Sequence, residues 1–167
     1  QVRTDHTKAL IEKHYGQNTP GKDWKGLTIT TDYRELLAEK QVDAVLIATP
    51  DHWHGEPTIL AARAKKHIYC EKPISLTIKE GRAMVQAVND NKVTFLTGSQ
   101  QRTEFGKRFV RACEHVRNGH IGKVLNVNVG VGDPARPCDL KGEDPEPGLD
   151  WDRWQGPAPN KVPFNLE

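Results

Sequence analysis

Seven residues, Val42 to Ala48 (VDAVLIA), constrain this chain most. The run is almost continuously apolar and is stopped by Thr49-Pro50. Such a run reads as a strand covered on both faces, the habit of parallel sheets. Parallel neighbours need crossover segments, usually helices, and the flanking sequence supplies them. Thr4 or Asp5 can cap a helix through about Tyr15, which Gly16 stops. Residues 17–26 read as loop, and Leu27-Thr28-Ile29-Thr30 as a short strand. Asp32 and Glu35 resemble a capping box that opens a helix to about Lys40. After the apolar run come a helix over about 55–66, a strand over 67–70, and a helix opened by the box Thr77-x-x-Glu80. A strand over 93–97 and a helix near 105–117 follow, the helix carrying Phe109, Val110, Cys113 and Val116 at helical spacing. This alternation up to about residue 124 predicts an α/β fold built on a doubly wound parallel sheet.

From Leu125 the pattern changes. Val127, Val129 and Val131 alternate with polar residues through Asn126 and Asn128, the period of a strand with one wet face. Residues 132–167 are rich in Pro, Gly and Asp, with Trp151 and Trp154 close together. We therefore divide the chain into residues 1–124, a sheet domain, and 125–167, the start of a second domain of α+β type.

Charge and cysteine content narrow the function classes. Twenty-four basic against 22 acidic residues give a formal charge of +2, and no Lys/Arg run interleaves with aromatics. Nucleic-acid binding is therefore disfavoured. No apolar stretch reaches the ~18 residues of a membrane span, and no signal peptide opens the chain, so a cytoplasmic location is expected. The chain begins at Gln1, so a missing upstream leader would change that to the periplasm or outside. Cys70, Cys113 and Cys138 stand at wide, irregular spacing, which suits free thiols better than metal pairs or a disulfide scaffold.

The chemistry concentrates at strand ends. Glu71-Lys72-Pro73 follows strand 67–70, so an acid, an amine and a rigid imino acid meet at the carboxyl rim of the sheet. Ligands of open α/β sheets bind at that rim. A lysine there can pass a proton if burial or neighbouring charge tunes it. The bland alternative is a solvated surface lysine. Thr49-Pro50-Asp51-His52-Trp53-His54 occupies the equivalent place after the apolar run, and Gln100-Gln101-Arg102 after strand 93–97. Each alone also fits an ordinary βα loop, with Asp51 capping and Trp53 packing; together they suggest one crevice. A metal site on Asp51, His52 and His54 is the weaker reading, because no distant Cys/His pair completes it. Gly130-x-Gly132-x-x-Ala135 formally fits a dinucleotide-binding pattern, but Pro134 and Pro137 forbid the helix that such a loop must open.

The stretch from VDAVLIATPDHWHGEPTILAARAKKHIYCEKP through ISLTIKEGRAMVQ resembles the glucose–fructose oxidoreductase / inositol dehydrogenase / MocA family. The likeness continues through GSQQRTEF, HIGKVLNVNV and DWDRWQGPAP and covers nearly the whole chain. It implies a Rossmann-like sheet lacking its N-terminal Gly-rich βα unit. It implies NAD or NADP as cofactor, a sugar, cyclitol or related polyol as substrate, and a homo-oligomer in the full-length protein. Lys72 matches the catalytic lysine. Thr49, Pro50, Asp51, His54, Glu71, Lys72 and Gln100 would border the cofactor, Gln100 standing where members often carry asparagine. Lys72 and Arg102 would sit by the substrate, and no metal is implied. On this reading the present polypeptide alone is expected to bind cofactor poorly and to show no turnover. Two rival readings keep the fold: a redox-assisted glycoside hydrolase, and a non-catalytic nucleotide-binding relative.

Overall fold

The computed structural model describes residues 2–18, 27–133 and 139–166. Cys138, residues 19–26 of the loop expected over 17–26, and the end of the Gly130–Ala135 pattern lie outside the described residues. Helix α1 spans Val2–Asn18 and α2 spans Tyr33–Ala38; strand β1 spans Ala44–Ile47 and α3 Gly55–Arg63. They are followed by β2 (His67–Glu71), α4 (Ile78–Asn91), β3 (Phe95–Gly98), α5 (Arg108–Arg117) and α6 (Trp151–Gln155).

The strands form a parallel sheet in the order β1-β2-β3. Register is explicit: Leu46 lies opposite Tyr69 and Tyr69 opposite Leu96, while Glu71 lies opposite Gly98. Side chains alternate between faces along a strand. Ile47, Ile68 and Cys70 therefore point into the core, with Leu37, Ala61, Ala62 and Ala87. Helices α3 and α4 pack against each other, and α3 lies against β1 and β2.

The second face departs from expectation. The run Val42–Ala48 implies cover on both sides, yet Leu46 is 69% and Leu96 61% exposed. Among the described residues no helix covers that row. Two expected strands are also absent. Residues 27–30 are irregular, and residues 125–131 carry no ladder, with Val127, Val129 and Val131 exposed. A period-two pattern becomes a strand only where a neighbouring edge completes its hydrogen bonds, and none of the described strands lies alongside.

Local signals explain some of the helices. Helix α1 is not bounded by them: it begins ahead of Thr4 and continues through Gly16, which was expected to stop it. At α4 both halves of the Thr77/Glu80 box form: Glu80 N–H donates to Thr77 Oγ1 (3.2 Å) and Thr77 N–H to Glu80 Oε2 (3.0 Å). At α2 the box does not close. Asp32 accepts from Arg34 N–H (3.0 Å), while the Glu35 carboxylate pairs with the Thr30 hydroxyl. The helix expected from residue 105 begins at Arg108, because Phe105, Gly106 and Lys107 adopt positive φ and form a separate 3-10 turn.

Candidate functional site

All three strands run the same way, so their carboxyl ends open on one rim. There a cleft of about 590 Å³ is lined by Thr49, Asp51, His54, Glu71, Lys72 and Gln100, together with Ala48, Pro73, Gln101, Glu104 and Phe105. Six of the residues singled out from sequence thus meet in one place. Pro50 lines an adjoining hollow of about 880 Å³, which shares Ala48 and Thr49 with the cleft. Arg102 ends the short turn Gln100–Arg102, is exposed, and lines neither space.

Each wall has its own construction. Lys72 is exposed at the lip, and the Lys72–Pro73 peptide is cis. Glu71, half-buried as the last residue of β2, receives the Gln100 side-chain amide on Oε1. Its carboxylate folds against Gly98, where a Cβ would stand 2.8 Å from Oε2. Only a residue without a side chain lets the acid lie there.

His54 is 1% exposed, and both ring nitrogens face carbonyl oxygens: Nδ1 at 2.6 Å from Pro73 O, Nε2 at 2.8 Å from Thr49 O. A neutral imidazole donates through one nitrogen; donating to both oxygens requires a proton on each. In this arrangement His54 belongs to the wall and turns no free nitrogen to the cleft. Asp51, which would cap α3 if this were an ordinary loop, accepts from His52 N–H (3.1 Å) and leaves the helix without a side-chain cap.

The 880 Å³ hollow has a wall that sequence reasoning missed. Trp53 Nε1–H donates to Trp154 O (2.9 Å) and Arg153 O (3.1 Å), and His52 Nε2 lies 2.7 Å from Trp154 O. Trp154 stacks on Trp151, ring centroids 4.7 Å apart. Gly156, at φ +43°, lies so close to the Trp53 indole that any Cβ would overlap it. The pairing of two Trp-bearing segments a hundred residues apart was the available signal, but nothing local links them.

Cys70 and Tyr33 are among the nearby ionisable groups displaced from their ordinary ranges. Burial pushes the Cys70 thiol up, as does the Glu71 carboxylate beside it, against a lowering contribution from the Thr58 hydroxyl. Tyr33, at the foot of the larger hollow, is raised by burial and by donating to Glu56 Oε1 (2.7 Å).

Comparison with known proteins identifies the family to which this sheet belongs. The profile of the GFO_IDH_MocA group, described as an oxidoreductase family with an NAD-binding Rossmann fold, matches residues 3–99. The myo-inositol 2-dehydrogenase of Thermotoga maritima is 38% identical over 106 residues, 64% of this chain and 31% of that protein. A 2,7-anhydro-N-acetylneuraminate hydratase of Escherichia coli is 40% identical over 91 residues, 54% of this chain and 24% of its own length. The solved structure of a levoglucosan dehydrogenase in complex with NADH and levoglucosan superposes with a TM-score of 0.53 at 36% identity, covering 57% of this chain and 25% of that one. The chain spans about a quarter to a third of the length of these relatives. With its profile match over more than half the sequence, the chain belongs to the Gfo/Idh/MocA family of oxidoreductases with an NAD-binding Rossmann fold.

Proposed function

We propose that this chain carries the cofactor-facing and proton-handling part of an NAD(P)-dependent oxidoreductase acting on a sugar, cyclitol or related polyol. One observation carries the reading: Lys72 stands on the lip of a cleft walled by Thr49, Asp51, Glu71 and Gln100, at the carboxyl rim where such sheets bind ligands. The donor set suits a nicotinamide dinucleotide. Carboxylates at Asp51 and Glu71 accept from ribose-type hydroxyls, Lys72 brings a cation, and the two adjoining hollows suit an extended ligand. Thr49, Pro50, Asp51, Glu71 and Gln100 would hold it, with His54 in the supporting wall and Arg102 toward the substrate mouth. A bound nicotinamide supplies or takes up the hydride.

The protein's own part is proton transfer and orientation. During oxidation of an alcohol, neutral Lys72 takes the hydroxyl proton on Nζ; in the reverse direction the ammonium returns it. The amide of Gln100 keeps the Glu71 carboxylate folded back, so that the acid next to Lys72 holds one orientation. The relatives named as inositol and levoglucosan dehydrogenases support the substrate class.

The test is Lys72→Met in a protein that carries this chain at the length of its relatives, assayed with myo-inositol and levoglucosan. Turnover should fall about 10²- to 10⁴-fold, a larger factor than any loss of NADH affinity. Undiminished kcat in the variant would overturn the role of Lys72. A second reading, chemistry without net oxidation, is favoured by the hydratases among the relatives. Product formation from an anhydro-sugar with no accumulation of NADH would select it.

A further inference from the structure

Among the described residues, no ladder bond joins the chains leaving β1 and β2 beyond the last pair, Ile47 with Cys70. Their carboxyl ends nevertheless form opposite walls of one cleft, Thr49 on one side and Lys72-Pro73 on the other. The group that spans them is a side chain. His54 reaches Thr49 O with Nε2 (2.8 Å) and Pro73 O with Nδ1 (2.6 Å), and is 1% exposed.

Its own backbone is fixed. His54 N–H donates to Asp51 O (3.1 Å), and its carbonyl accepts from Thr58 N–H (3.3 Å) at the start of α3. The next residue, Gly55, is buried and has the Glu80 side chain 3.5 Å from where its Cβ would be. The imidazole is thus a rigid strut from a packed helix to two loops.

We propose that His54 is the positioning residue for Lys72, a clasp that fixes the backbone on the carboxyl side of the lysine relative to the end of β1. This rests on Lys72 being the proton-transferring group. Pro73 O lies one residue beyond Lys72, so with the clasp closed the amine searches only its side-chain rotamers; with it open the whole lip moves. The geometry also separates His54 from ligand binding, since both ring nitrogens are already directed at protein oxygens.

The experiment needs neither cofactor nor substrate. Lysines of the 167-residue chain are dimethylated with ¹³C-formaldehyde, and the Lys72 signal is assigned by its loss in Lys72→Arg. In His54→Leu, which fills similar space without donors, the Lys72 signal should shift as the lip moves while the other lysine signals stay. His54→Gln, whose amide has two N–H donors, should bring it back part of the way. An unmoved Lys72 signal in folded His54→Leu overturns the clasp. Should His54→Leu fail to fold, ring ¹⁵N spectra of the unsubstituted chain decide. A ring N–H slow to exchange with solvent supports the clasp; ring protons exchanging at the free-imidazole rate overturn it.

In the longer enzyme His54→Leu should lower kcat by about 10- to 100-fold, the scale of loss for a misplacement of about 1 Å, with KM changed less than threefold and Gln restoring part of the loss. Retained turnover in Lys72→Met would sink the catalytic reading and leave the spectral result standing, so the two failures are distinguishable.

Discussion

Glu71 is the residue whose surroundings are most specific to this site. It ends β2 opposite Gly98, its carboxylate lies where a Cβ at 98 would stand, and Gln100 donates to it. Gly98→Ala should push the flexible carboxylate outward and break the Gln100 contact. A hydrogen bond to a charged group is worth about 1.5–3 kcal/mol; with Glu71 half-exposed, a loss of about 1 kcal/mol is expected from urea unfolding. Gln100→Leu should cost a similar amount. The double variant should cost little more than either single one, because both remove one arrangement; full additivity would refute the coupling. A second expectation concerns thiols. Cys70 is fully buried with a raised thiol pKa, whereas Cys113 is exposed. Iodoacetamide should label Cys113 in the folded protein and Cys70 only after denaturation, checked by mass spectrometry of peptides.

At this scale the strand-end polar residues were legible because a parallel sheet must bring successive carboxyl ends together. What His54 and Gly98 do was not. The partners of His54 are main-chain carbonyls, which every residue has, and Gly98 matters through an atom it lacks.

Among the elements, α4 has the clearest local instructions. Thr77→Ala removes one arm of a closed capping box and should cost about 1 kcal/mol; a change under about 0.3 kcal/mol would mean the box contributes little here. At α2 the cap is Asp32, whose carboxyl is held below its ordinary value, first by the Arg34 backbone N–H. A lowered folded-state pKa gives stability that is present above the ordinary carboxylate range and is lost as pH falls through the lowered value. Asp32→Asn keeps a good cap without that ionisation. Its stability deficit relative to the unsubstituted chain should therefore shrink as pH drops from 7 toward acid, read by thermal unfolding across pH. Helices α2 to α5 could be foreseen because caps and 3.6-residue periods are properties of contiguous sequence, whereas α1 runs past both of its expected ends and α6 was not expected. The strands expected at 27–30 and 125–131 could not, since a ladder depends on what lies beside it.

For the molecule as a whole, the asymmetry of the sheet dominates. One face is closed by α3 and α4 over Ile47, Ile68 and Cys70; the other leaves the row Leu46, Tyr69, Leu96 without a covering helix among the described residues. Substitutions should feel this difference. Ile68→Ala, at 3% exposure, should destabilise by about 3 kcal/mol. Leu46→Ser should change stability by less than about 0.5 kcal/mol in the same chain. A large loss at Leu46 would mean that its face is covered in solution.

The pairing of Glu71 with Gly98 turns the connection between α4 and β3 into a ruler. Lys92 turns the chain at φ +55°, and Thr94 O then accepts from Ile68 N–H at 2.9 Å, so the count from that turn to residue 98 is fixed. One residue inserted after Lys92, with the count from the turn kept, would slip the register and set Thr97 beside the acid. A branched side chain would then stand where the carboxylate now rests. Length in this short spacer is therefore expected to be far less variable than its composition.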